Sequence, residues 1–163
     1  MHKLTALVAV ALACLMSTIA PAAPQNLTLQ PSPDIVSGFI TVKYDAGTDS
    51  LTADVMAFEL KLDDVSDPEI ISNGTFIIAA SIDGFGALSG GSLDIGGTIP
   101  DLGFTSGTLL TGSLTAFGFQ TAVDPLEFLF NVTGGEAAVL FGSTVGVILG
   151  DSGFGGSFSS DWS

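Results

Sequence analysis

Leu126-Glu127-Phe128-Leu129-Phe130-Asn131-Val132-Thr133 is the stretch that decides the fold. Leu126, Phe128, Phe130 and Val132 recur at every second position, with Glu127, Leu129 and Asn131 between them and Thr133 after them. A period of two puts the four apolar side chains on one face of a strand, whereas a helix would scatter them around its axis. A strand buried on one face needs pairing partners, and the flanking sequence supplies them.

Upstream, Ile40, Val42 and Tyr44 alternate with Thr41 and Lys43, and Leu51 to Leu62 sets Leu51, Ala53 and Val55 against Thr52 and Asp54. Thr75 to Ile82 carries Phe76, Ile78, Ala80 and Ile82 on one face; Ser92 to Ile99 alternates Leu93, Ile95 and Ile99 with Asp94 and Thr98. Thr108 to Phe119, Thr144 to Leu149 and Phe154 to Ser159 continue the strand series. Turn chemistry separates the runs, at Asp45 to Asp49 and at the pair Asn73-Gly74. Glu136 to Phe141 follows two glycines with good helix formers and predicts one short helical turn. Short strands separated by Gly, Asp and Asn predict an all-β fold, an antiparallel sandwich or barrel-like meander of about 8–9 strands.

The N-terminus reads differently. His2 and Lys3 precede an apolar run from Leu4 to Met16 broken only by Thr5, and Ala20-Pro21-Ala22 offers an A-x-A exit. That order predicts a signal peptide over 1–22, in helical form, for a protein that works outside the cytoplasm. Pro21 and Pro24 close the run short of the roughly 20 apolar residues a spanning helix needs. Residues 23–36, with Pro24, Pro31 and Pro33, read as an extended lead, and 37–163 as a single all-β domain.

Charge narrows the function. From residue 23 onward there is no Cys, His or Arg, and Lys43 and Lys61 face all 17 acidic residues of the chain. Such an excess repels nucleic acid and anionic membranes and leaves divalent cations and cationic surfaces as partners. A Ser-His-Asp or Cys-His centre has no imidazole or thiol to use, and a zinc site has neither preferred ligand. Catalysis would rest on carboxylate pairs such as Asp83 with Asp94 or Glu127 with Glu136, and no spacing singles these out. The expectation is therefore a protein that is not an enzyme.

Two acidic clusters offer oxygen ligands for calcium. One is Asp45, Asp49 and Asp54; the other, Asp63, Asp64, Asp67 and Glu69, sets four carboxylates within seven residues and is the preferred candidate. Asp also caps turns through its own backbone, which explains both clusters without a metal. Tyr44 and Trp162 are too few to form a carbohydrate platform, and they are also too few for the aromatic girdles of an outer-membrane barrel.

Thr75 to Asp83, Ser92 to Gly97, Ser106 to Phe119 and Leu126 to Gly135 together resemble exported bacterial proteins of the PEP-CTERM kind. In that family a Gly-rich β-domain precedes a Pro-Glu-Pro sorting tag, a membrane helix and a basic end removed by an exosortase. None of these three features occurs within residues 1–163. The resemblance implies an extracellular or envelope-matrix protein and brings no catalytic residue with it. The expected function is a secreted, acidic β-domain with a structural or adhesive role. The alternative is a calcium-stabilised binding module for a polysaccharide or a cationic surface.

Overall fold

In the computed structural model the described residues are 22–120, 123–150 and 152–163. The expected signal helix lies outside them. Strands β1 (Asp34–Asp45), β2 (Ser50–Lys61), β3 (Glu69–Ile70), β4 (Ser72–Ile82), β5 (Leu88–Thr98), β6 (Thr108–Gln120), β7 (Val123–Gly134) and β8 (Thr144–Leu149) make up the chain. A single helical turn, α1 (Ala138–Phe141), links β7 to β8, and a short 3-10 helix covers Pro100–Leu102. The expected all-β class holds, and of its two forms the structure takes the meander. One antiparallel sheet runs β1-β2-β4-β5-β6-β7-β8, with β3 paired beside β2, and curls into a half-barrel.

Alternation produces the curl. The inward rows run through Val42, Ala53, Ile78 and Leu93, and through Leu114 with Phe130, all under 9% exposed. Burying one face of every strand forces the twisted sheet to wrap around its own apolar side. The sheet stops short of closure: among the described residues the edge strands β1 and β8 do not pair with each other.

Three local readings are corrected. Strand β1 starts at Asp34, inside the stretch read as a lead, because Asp34 to Val36 pairs with Glu59 to Lys61. Asn73-Gly74 makes no hairpin turn: it sits in β4 at a register shift between Ser72 and Thr75. Asn73 has φ +53° there, and a Cβ on Gly74 would fall 2.0 Å from the Ala57 carbonyl oxygen. Phe154 to Ser159 forms no strand. Phe154 and Phe158 are buried instead, and the tail turns across one end of the half-barrel to reach β1. There Tyr44 N–H donates to the Trp162 carbonyl at 2.9 Å, and Trp162 N–H to that of Tyr44 at 3.2 Å.

Among the described residues no helix is long and apolar enough to cross a membrane.

Candidate functional site

Three regions could meet a partner: the slot between β1 and β8, the outer face of the sheet, and the acidic turns. The slot follows from incomplete closure. At the Tyr44 end the aromatic tail fills it; at the other end it opens into a cavity of about 440 Å3. Phe76, Leu93, Ile95 and Leu110 lie behind it, each 6% exposed or less, so they present almost no surface to it.

The segment that leads into β1 runs as a strap along the outer face, from the β4–β5 turn, where Ala22 N–H donates to the Gly86 carbonyl, past Gly118 and Gly146. Of this segment only Leu27 to Gln30, Ser32 and Pro33 line the opening. Glu127 holds the strap from the outer face of β7. Its Oε2 accepts the backbone N–H groups of Gln25 at 2.7 Å and Asn26 at 3.0 Å, and its Oε1 accepts that of Leu27 at 2.8 Å. Glu127 is buried, and three main-chain donors offset the cost of removing its charge from water. Neighbouring glycines let the strap lie close. A Cβ on Gly118 would sit 2.6 Å from the Ala23 carbonyl oxygen, and one on Gly146 would sit 2.7 Å from Leu29 Cδ2. Alternation marked Glu127 only as an outward strand residue. The Leu27-Thr28-Leu29 pattern was the only sequence sign that the strap had an apolar side to bury.

The outer face carries a continuous cross-strand row of side chains, short at every position but Lys43. Register places Lys43, Thr52, Ala79, Ser92, Ser113, Asn131 and Thr144 side by side across seven strands. Beside it, Asp54 lies opposite Ile77, which lies opposite Asp94, and Thr111 follows. Thr133 Oγ1 donates to Thr111 Oγ1 at 3.0 Å. Apart from half-buried Ala79 and Thr111, these residues are exposed.

The acidic residues singled out in the sequence are scattered. Asp63, Asp64 and Asp67 lie in the exposed turn after β2, and Glu69 begins β3 opposite Leu60. Asp63 Oδ1 accepts the N–H groups of Ser66 at 2.6 Å and Val65 at 2.8 Å, and Oδ2 accepts the Ser66 hydroxyl at 3.0 Å. The bond from Ser66 N–H, then that from Val65, holds the Asp63 carboxyl below its ordinary value. Asp45 Oδ1 caps its own turn through Gly47 and Thr48 N–H. Asp49 closes that turn at φ +54°, and Asp54 projects from the outer face. Among the described residues no three His, Cys, Asp or Glu side chains form a group that could hold a metal ion.

The imagined acid–base pairs do not meet. Asp94 sits level with Ile77, and Asp83 lies six residues further on, just past the end of β4, about 20 Å away at strand rise. Asp83 Oδ1 instead accepts the N–H groups of Phe85 and Ala87, at 2.9 and 2.8 Å. Glu136 lies beyond the end of β7, where its Oε2 accepts Ser106 N–H at 2.8 Å, a bond that holds its carboxyl low. Glu127 is occupied by the strap. Tyr44 and Trp162 stack on each other, with ring centroids 5.9 Å apart, and Tyr44 is buried. The chain matches no protein-family model, no curated protein and no solved structure.

Proposed function

We propose that the protein is an exported, non-catalytic domain with a structural or adhesive role in the extracellular matrix or cell envelope. The observation that carries this reading is the outer row from Thr52 to Thr144, seven strands wide with its Lys43 end, together with the neighbouring row that carries Asp54 and Asp94. Short hydroxyl and amide side chains lose little rotamer freedom on contact, so such a face can hold a polar partner at small entropic cost. The two carboxylates add attraction for cationic groups. Glu127, Glu136, Asp83 and Asp63 are each bonded to main-chain donors of their own chain, which suits a scaffold better than a reaction centre. The basic, apolar and A-x-A order of residues 2–22 supports export.

Co-sedimentation with insoluble polysaccharide tests the surface, using cellulose as a neutral matrix and chitosan as a cationic one. Retention on chitosan is expected, weakened several-fold by D54N/D94N and by added salt. Absence of retention on both matrices sinks the reading, and so does turnover of a substrate that is abolished by one carboxylate-to-amide change.

A further inference from the structure

The strap begins where the sequence places the end of the export signal. Ala20-Pro21-Ala22 is the A-x-A pattern at which a signal peptidase would cut the Ala22–Ala23 bond, and what is drawn from it here rests on that reading of residues 1–22. Both residues of the bond are engaged by the sheet. Ala22 N–H donates to the Gly86 carbonyl at 3.4 Å, and the residue packs, half-buried, against the core. The Ala23 carbonyl accepts Gln25 Nε2–H at 3.2 Å. It lies so near β6 that a Cβ on Gly118 would come within 2.6 Å of it.

Just downstream the hold tightens. Asn26 takes φ +51°, a left-handed conformation that Asn tolerates, and three consecutive N–H groups point at one anion, the geometry of a backbone nest. That anion is the Glu127 carboxylate, 2.7, 3.0 and 2.8 Å from the amides of Gln25, Asn26 and Leu27. Gln25 Nε2–H also reaches the Phe117 carbonyl at 3.3 Å. The segment is therefore fixed from Ala22 to Leu27 although it belongs to no ladder. Ala23 and Pro24 stay exposed on their solvent side, so lack of access is not what protects the bond. Docking withholds conformation. A peptidase takes the chain around its cut as an added strand, and one that reads A-x-A needs those small side chains in its own pockets. Ala22 cannot fill such a pocket while it lies against the core.

We infer that the docked strap and the cleavable strap are mutually exclusive: the Ala22–Ala23 bond is hydrolysed before residues 22–27 settle on Glu127, or only when they lift away. Hydrolysis adds water across the bond and leaves a carboxylate on Ala22 and an ammonium on Ala23. A chain that docks first keeps the apolar run from Leu4 to Met16 attached. Its cleavage then follows the fraction of time the strap spends open, so Glu127 sets how fast a folded precursor is processed.

Digestion of the folded full chain by a purified signal peptidase in detergent micelles tests this, with a synthetic peptide spanning residues 1–30 as undocked substrate in the same micelles. The peptide is expected to be cut after Ala22, and the folded chain at least tenfold more slowly. E127Q removes part of the anion from the nest, and G118A sets a methyl group against the Ala23 carbonyl. Each should speed cleavage of the folded chain several-fold, while slow hydrogen exchange at Phe128 and Phe130 verifies that the sheet is intact. Equal rates on peptide and folded parent would overturn the inference. So would variants that keep the sheet and are cut no faster than the parent. If a variant does not fold, the other decides, and if neither folds the ratio of peptide to parent rates decides alone. An uncut peptide refutes the signal itself and takes the inference with it, whereas a cut peptide beside an equally cut chain refutes docking alone. Neither result bears on retention by polysaccharide.

Discussion

Tyr44 concentrates several demands on one side chain. Its hydroxyl donates to the Ile82 carbonyl at 2.8 Å, and its ring meets Phe158 edge-on at 4.9 Å and Trp162 in a stack. Burial pushes its phenol above the ordinary value of 10.0, and the carboxylates of Asp49, Asp83, Asp161 and Asp45 push the same way. The folded form thus holds this proton more tightly than the unfolded chain does. The resulting contribution to stability is complete below the unfolded value near pH 10 and disappears as pH rises through the higher folded value. Because Tyr44 is the only tyrosine, tyrosinate absorbance at 295 nm reports this group alone. Ionisation is expected above pH 10 and together with unfolding, whereas simple titration near pH 10 in the folded state would contradict the account. Y44F should remove the Tyr44 ionisation from alkaline unfolding, at a neutral-pH cost of about 1 kcal/mol for the lost hydrogen bond. The alternation of Val42 and Tyr44 with Thr41 and Lys43 showed Tyr44 facing inward; the partners of its hydroxyl and ring, 38 to 118 positions away, were not legible.

Elements divide by whether their cause is local. Strands β2, β5, β6 and β7 were readable because each buries one face, so its own sequence alternates. The Asn73-Gly74 pair misled because its glycine answers the Ala57 carbonyl on β2 and has no hairpin to make. Phe154 and Phe158 misled because an apolar residue every fourth position, among glycines and serines, fits a strand as loosely as it fits a plug. The strap is the sharpest case. Its hold on the sheet depends on Glu127, 100 to 102 positions from the amides it accepts, and no periodicity encodes that. Hydrogen bonds to a charged acceptor are worth roughly 1.5–3 kcal/mol each, enough to decide whether a segment without ladder partners stays down. E127Q places a donor group where backbone N–H groups point, so it should release the strap while β7 keeps its pairing. Hydrogen exchange at Gln25, Asn26 and Leu27 is expected to accelerate at least tenfold, with little change at Phe128 and Phe130. Unchanged protection at those three amides would show that apolar contact from Leu27 and Leu29 alone holds the segment.

At the scale of the whole molecule, a single sheet curling on itself has to cover both ends of its apolar trough. The two ends are treated differently. One receives Phe154, Phe158 and Trp162, which cross from β8 to β1 and join Tyr44, Phe117 and Phe119 in an aromatic cluster. The other is left with a cavity beneath a strap. Phe158 stands at the centre of the filled end, 2% exposed and in ring contact with five other aromatic side chains. F158A should therefore cost about 3–5 kcal/mol, the usual range for emptying a buried aromatic site, and far more than any change on the outer row. Trp162 is the only tryptophan, so its emission reports closure directly. If the tail is the plug of the half-barrel, F158A should shift that emission to the red at temperatures where the sheet is still folded by circular dichroism, since the tail end is held at β1 by two backbone hydrogen bonds of Trp162, the bond from Ala46 N–H to Asp161 Oδ1 and the stack on Tyr44. Emission and sheet signal lost together in one transition would mean that the tail is no separable closure and that the trough, its filled end and its cavity stand or fall as one cooperative unit.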